Sequence, residues 1–233
     1  MSESTEQKGK KGGLADTIRV MVQALILALF IRTLLFQSFN IPSGSMEATL
    51  LVGDYLFLSK YSYGYSHYSL PFSPPLFSGR IFGSEPKAGD VVVFRLPSDD
   101  SVDYIKRVIG LPGDRIQMID GALHINGTAV KRERAEDYVD RDQGPRPFRV
   151  RRWHETLPNG VSYYTLDRTS RGEYDNTDVY VVPPGNGGVG YVPFENLIGQ
   201  AKLIFFSIAD EVPPWQVWRW SSVRWSRLFT PIK

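Results

Sequence analysis

The feature that most constrains this chain is an apolar run at residues 17–36. A helix needs roughly 20 predominantly apolar residues to cross the hydrocarbon of a bilayer, and this run has that length. Arg19, Gln23 and Arg32 interrupt it, with the arginines near its two ends, where long side chains reach the headgroups. Lys8, Lys10 and Lys11 precede it, so the positive-inside rule puts the N-terminus in the cytoplasm and everything after Phe36 on the far side. Residues 1–16 are polar and lack apolar periodicity, which predicts a disordered cytoplasmic tail. A cleavable leader would place small residues after its apolar core, whereas Arg32-Thr33-Leu34-Leu35-Phe36 stand there. Residues 17–37 are therefore expected to be an uncleaved transmembrane anchor, with a buried helix of a soluble protein as the competing reading.

The remainder is long enough for one domain with a small inserted lobe. Cysteine is absent, which removes disulfides, thiol nucleophiles and thiolate metal sites together. His67, His124 and His154 are the only histidines and none forms a ligand-spaced pair, so no metal or other cofactor is expected. A net charge of +2 argues against nucleic acid as the main partner.

After the apolar run the chain reads as strands and turns, predicting a mainly β, mostly antiparallel domain over residues 38–210. Gly53-Asp54 marks a turn leading into a strand ending near Leu58. Strands are also expected at residues 91–94 and 103–109. Asp120-Gly121 and Asn126-Gly127 separate three short runs, and both dipeptides favour tight hairpins, so a β-meander is expected there. Residues 61–89, rich in Tyr, Ser, Pro and Gly, read as a long loop beside the site. Charge dominates residues 131–176, where Lys131, Arg132, Arg134, Arg149, Arg151 and Arg152 are diluted by Glu133, Glu136, Asp137 and Asp140. That pattern predicts an exposed charged lobe or insertion rather than a nucleic-acid patch. Strands return at residues 163–167, 179–182 and 203–207. Residues 211–233 carry four of the five tryptophans; if helical from Trp215, they set Trp215, Trp218 and Trp225 on one face and Arg219, Arg224 and Arg227 away from it. Such a segment suits a membrane interface, with packing against the domain as the alternative.

Candidate chemistry begins at Ile41-Pro42-Ser43-Gly44-Ser45-Met46, directly after the apolar run. A serine hydroxyl is a poor nucleophile until a base takes its proton. With each histidine in a polar or turn-like setting, lysine is the next candidate, provided desolvation lowers its pKa. Alternation in a strand groups Tyr104, Lys106 and Val108 on one face, which makes Lys106 a candidate buried amine. Its competing reading is a sheet-edge lysine that blocks aggregation.

Spacing alone does not pair Ser45 with Lys106. The Ile41–Met46 motif followed by Thr49-Leu50, together with Asp103-Tyr104-Ile105-Lys106-Arg107-Val108-Ile109-Gly110-Leu111-Pro112-Gly113-Asp114, closely resembles the type I signal peptidases of bacteria. Gly53-Asp54 and Val189-Gly190-Tyr191-Val192-Pro193 agree with that resemblance. It implies a membrane-bound serine endopeptidase that removes signal peptides from exported precursors, working from the outer side of the bacterial cytoplasmic membrane. Precursor proteins and membrane lipids would be its partners, with small residues preferred one and three positions before the cut. By the resemblance Ser45 is the nucleophile and Lys106 the general base, while Ser43 and the Ser45 N–H form the oxyanion hole. One departure stands out. The family's Gly-Asp-Asn-Arg-Asp-Asn-Ser and Asp-Ser-Arg segment is missing after Gly185, where Asn186-Gly187-Gly188-Val189-Gly190 follows directly. A second reading follows from that departure: a relative that binds exported chains without cutting them.

Overall fold

A computed structural model describes residues 13–140, 147–169, 172–184, 191–209 and 220–232. The expectations for residues 1–12, for the shortened segment at 185–190, and for Trp215, Trp218 and Arg219 lie outside the described residues.

The chain begins with helix α1 (Leu14–Phe30), whose last turn widens into a π-helical turn at Ile31–Leu35. Together they make one helix long and apolar enough to cross a membrane, and none of its apolar window is buried inside the protein. A buried core helix would bury one face, so that alternative does not describe this element. The end carbonyls that any helix leaves unpaired are partly taken up by the domain: Tyr65 Oη donates to Leu34 O at 2.8 Å and Lys60 N to Leu35 O at 3.1 Å. Strand β1 (Phe36–Asn40) follows without a linker, so the helix stops before residues 36 and 37.

Among the described residues every strand pairing is antiparallel, as expected of the fold class. The main sheet joins β1, β2 (Asp54–Ser59), β13 (Leu197–Ser207), β3 (Val91–Leu96) and β4 (Asp99–Arg107), in that order, and β14 (Thr230–Pro231) pairs with β13. A second sheet holds the meander β5 (Arg115–Ile119), β6 (Ala122–Ile125) and β7 (Thr128–Ala129), with β12 (Tyr180–Val181) on its outer side. Asp120, Gly121, Asn126 and Gly127 all have positive φ (48°, 72°, 54° and 80°), the backbone that two-residue hairpins with a right-handed strand twist require.

The charged stretch is a sheet in its own right. Strands β8 (Lys131–Arg134), β9 (Tyr138–Asp140) and β11 (Ser162–Asp167) all pair with the central β10 (Phe148–Thr156). Val150, Leu157 and Tyr163 are buried, and the sheet packs onto the meander through Leu123, Ile125 and Val130. The strand expected at 163–167 is β11, whereas charge hid β8, β9 and β10 because their cross-strand pairs are ionic and aromatic. Arg132 lies 4.1 Å from the Trp153 ring centroid, and Arg151 pairs with Asp167 at 3.0 Å.

The C-terminal expectation needs correction over the described residues. Residues 220–232 form two short 3-10 turns and β14 rather than a helix. Arg224 and Arg227 turn inward: Arg224 donates to Val52 O at 2.8 Å, and Arg227 Nε donates to Asp54 Oδ1 at 2.9 Å. Asp54 is fully buried and also accepts from Ser207 Oγ at 2.6 Å and Leu51 N at 2.8 Å. One carboxylate thus ties the turn before β2 to β13 and to the C-terminal segment. Removing one member of a buried ion pair costs about 3 kcal/mol, because the other charge is stranded. Asp54→Ala is expected to lower stability by about that amount in urea unfolding followed by tryptophan fluorescence.

Candidate active site

Ser45 sits on a tight turn whose ends are fixed in the core. Ile41 and Leu50 are fully buried in the main cluster, and Ile41 N donates to Asp54 O at 2.9 Å, extending the β1–β2 ladder by one residue. Between them the chain makes a 3-10 turn at Gly44–Met46, closed by Glu47 N donating to Gly44 O and Leu50 N to Met46 O. With both flanks sunk in apolar surroundings, Ser43 and Ser45 are left exposed. The Ser45 N–H, at the start of that turn, donates to no protein acceptor among the described residues.

Lys106 comes from β4, the outer strand of the main sheet, directly across from Val92 of β3. Alternation along β4 buries Ile105 and Arg107 and leaves Tyr104 exposed and Lys106 half-buried. Its position on an edge strand is what the aggregation-guard reading predicts. The amine, however, does not point into open solvent: Lys106 Nζ donates to Ser45 Oγ. The Tyr104 ring lies 5.8 Å from the same nitrogen. Burial holds the Lys106 pKa below the usual lysine range, since desolvation penalises the ammonium and no carboxylate among the described residues offsets the cost.

The neighbouring Arg107 joins the two halves. It is buried, donates through Nη1 to Gly89 O at 2.6 Å and through Nη2 to Thr49 Oγ1 at 3.3 Å, and lies 4.6 Å from the Tyr163 ring centroid. One guanidinium therefore spans the serine turn, the start of β3 and the charged sheet. A second tie runs from Glu47, which accepts from Arg168 Nη2, while Arg168 Nη1 donates to the buried Asp140 at 2.5 Å.

These ties enclose a cleft of about 650 Å³ between the main sheet, the meander and the charged sheet. Ser45 and Lys106 stand in its wall beside Met46, Ile109, Met118 and Leu123. Ser43 is not part of that wall. No histidine lines the cleft among the described residues; His124 contacts the Ala122 carbonyl, and His154 packs on Tyr164. Residues 131–176, expected as an exposed lobe or insertion, instead supply Tyr163, Asp167 and Arg168 to one side of the cleft. The strand expected at 163–167 is β11, while the aromatic content of β10 is strand-like despite its charge.

The arrangement is that of a hydroxyl held against a partly desolvated amine at the edge of an apolar cleft. A profile of the signal peptidase family, peptidase S26, matches residues 14–206. Signal peptidase I of Rickettsia typhi is 44% identical over 206 residues, covering 78% of this chain and 76% of that protein. The signal peptidase I proteins of Rickettsia conorii and Rickettsia canadensis are each 45% identical, with the same coverage. The chain belongs to the signal peptidase family.

Arg107→Leu keeps volume and burial but deletes the hydrogen bonds to Gly89 and Thr49. At about 1.4 kcal/mol per tenfold change in rate, losing one to two such bonds predicts a fall of about 10- to 100-fold in kcat/KM, measured on a precursor substrate.

Proposed function

We propose that this protein is a membrane-bound serine endopeptidase that removes N-terminal signal peptides from exported precursors, using Ser45 as nucleophile and Lys106 as general base. The observation that carries this reading is the hydrogen bond between Lys106 Nζ and Ser45 Oγ in the wall of the cleft. In the reactive state the amine is neutral, and its lone pair takes the Ser45 proton as Oγ attacks the carbonyl carbon before the cut. The tetrahedral oxyanion forms within reach of the Ser45 N–H, with the Ser43 hydroxyl as second donor. Such donors are typically worth about 3 kcal/mol each. Collapse breaks the peptide bond, and Lys106 returns its proton to the leaving amine, which becomes the new N-terminus of the mature protein. Water then attacks the Ser45 ester by the reverse proton path and frees the signal peptide.

The family resemblance implies a preference for small residues one and three positions before the cut, and the apolar walls at Met46, Ile109, Met118 and Leu123 suit an extended apolar chain. The helix at Leu14–Leu35 holds the domain in the bacterial cytoplasmic membrane as a single span. The catalytic domain lies on the extracytoplasmic side, where Lys8, Lys10 and Lys11 at the other end of the span direct it.

Purified full-length chain in detergent should shorten a precursor by its signal peptide, as read by intact mass. Ser45→Ala and Lys106→Ala should each reduce cleavage by more than about a thousandfold. Lys106→Arg should fail equally, because a guanidinium cannot lose its proton near neutral pH. Full activity in any of the three would remove the dyad.

The sign of the pH response follows from the base. Protonated Lys106 cannot accept a hydrogen, so kcat/KM should rise with pH along an acidic limb. Because burial lowers the Lys106 pKa, the midpoint of that limb should fall below the ordinary lysine value of 10.5. A midpoint at or above that value would contradict the assignment.

One observation favours a second reading, a relative that binds exported chains without cutting them. Among the described residues Lys106 Nζ has Ser45 as its only hydrogen-bond partner, and the segment that supplies another in the family is shortened after Gly185. Measurable precursor binding with unchanged precursor mass after long incubation would select this reading.

A further inference from the structure

The catalytic cleft does not use the most deeply buried lysine of the described residues. Lys60, at the end of β2, is only 3% exposed, yet no carboxylate pairs with it. Among the described residues the one hydrogen bond of its side chain runs from Nζ to Ser69 O at 2.6 Å. An ammonium has three donors, so two remain unmet. Desolvation, reinforced by the charge of Arg32, lowers its pKa to about 8, which leaves the group mostly protonated at neutral pH. A buried cation without a counter-charge is costly unless an anion joins it.

The space beside Lys60 is a cavity of about 610 Å³, separate from the cleft at Ser45. Arg32, Lys60 and Arg95 contribute three cationic side chains to its wall, against one carboxylate, the exposed Asp100. Arg95 is already offset by Asp103 at 2.9 Å, so the uncompensated charge is that of Lys60 and Arg32. His67 lines the same wall, and its Nδ1 is buried with no hydrogen-bond partner. Among the described residues, His67 Nδ1 has no protein partner and Lys60 Nζ has only Ser69 O.

Position and rim identify what fills it. Arg32 lies in the last turn of the apolar helix and Gln37 directly after it, so the cavity opens where the helix would leave the hydrocarbon. The Lys60 backbone is tied to that helix end through Leu35 O. One side of the rim is apolar: Leu70, Pro71 and Phe72 line it, and the Phe72 ring is fully exposed. A free inorganic anion has no use for such a rim, whereas a lipid places its phosphate inside and its chains along it.

We propose that this cavity binds the phosphate of an anionic phospholipid headgroup from the leaflet that meets the C-terminal end of the apolar helix. Lys60 and Arg32 provide the charge, His67 Nδ1 is placed to donate a hydrogen bond, and Phe72 lies against the acyl region. Occupancy would fix the domain against the bilayer at the root of β1, the strand that leads into the serine turn.

The test uses full-length chain in neutral maltoside micelles, titrated with phosphatidylglycerol or with inorganic phosphate and read by native mass spectrometry. Wild type should retain one phosphatidylglycerol, and excess inorganic phosphate should not displace it. Lys60→Met and Arg32→Gln should each weaken retention at least tenfold, while Arg19→Gln, at the opposite end of the helix, should not. Arg32 is exposed and makes no core contact, so its variant stays informative even where Lys60→Met unfolds. Retention by Arg32→Gln equal to wild type would overturn the proposal. Displacement by equimolar inorganic phosphate would overturn the lipid as the source.

Discussion

The contact between Lys106 Nζ and Ser45 Oγ sets the strictest demand on this fold. For the proposed base role, the amine must be dry enough to be deprotonated, yet reachable by an extended chain. An interior strand would bury the amine beyond reach, and a loop would leave it wet. The outer strand of a sheet, covered on one side by a turn and on the other by a second sheet, satisfies both conditions. Lys106 on β4 is such a position, with Val92 of β3 behind it and the Gly44–Met46 turn in front.

Bringing that turn to β4 is a problem of sheet geometry. The turn follows β1, which lies at the opposite edge of the sheet from β4, with β2, β13 and β3 between them. A flat sheet would hold the two apart by the width of those strands, so the sheet must curl. The eleven-residue β13 shifts register against β2 at two places and against β3 at a third. Such bulges bend a strand and sharpen its twist. Gly199 stands at the third shift, where an added Cβ would come within 2.8 Å of Ser59 O. The close approach of β13 to the end of β2 therefore depends on a missing side chain. Asp54 then holds the start of β2 to the far end of β13 through Ser207.

Where apolar residues alternate or turns carry Asn-Gly and Asp-Gly, the architecture was legible in the sequence: β2, β3, β4, the meander and the apolar helix. The combined motifs named Ser45 and Lys106, but nothing in a linear pattern reports the curl that brings their side chains together. What was not legible is held together by arginines bonded to carbonyls and rings. Residues 61–89 lack any period, yet Arg80 organises them by donating to the Tyr63 and Gly64 carbonyls at 2.8 and 2.7 Å and to Leu197 O at 2.7 Å. Strands β8 and β10 read as a solvated run because Arg132 and Trp153 replace aliphatic neighbours. Arg227 read as an outward-facing helix residue because its partner, Asp54, is far away in sequence. A backbone carbonyl carries no residue identity, so a guanidinium that uses one leaves no complementary signal to find.

Three buried or partly buried cations show why burial alone does not mark a functional group. Desolvation lowers the pKa of all three: Arg80 to about 10, Lys60 to about 8, and Lys106 below its usual range. Arg80 has its guanidinium hydrogens engaged by carbonyls from two segments, so it fixes a loop and has no capacity to spare. Lys60 spends one hydrogen on Ser69 O and keeps two facing a cavity, which suits holding an anion from outside the chain. Lys106 faces a hydroxyl rather than a carbonyl, and a hydroxyl can give its proton back. The distinction lies in what each cation is bonded to. A carbonyl can only accept, so it locks a cation in place; a cavity beside a cation leaves room for a ligand; and a hydroxyl opposite an amine is the arrangement on which the proton transfer proposed for Ser45 and Lys106 relies.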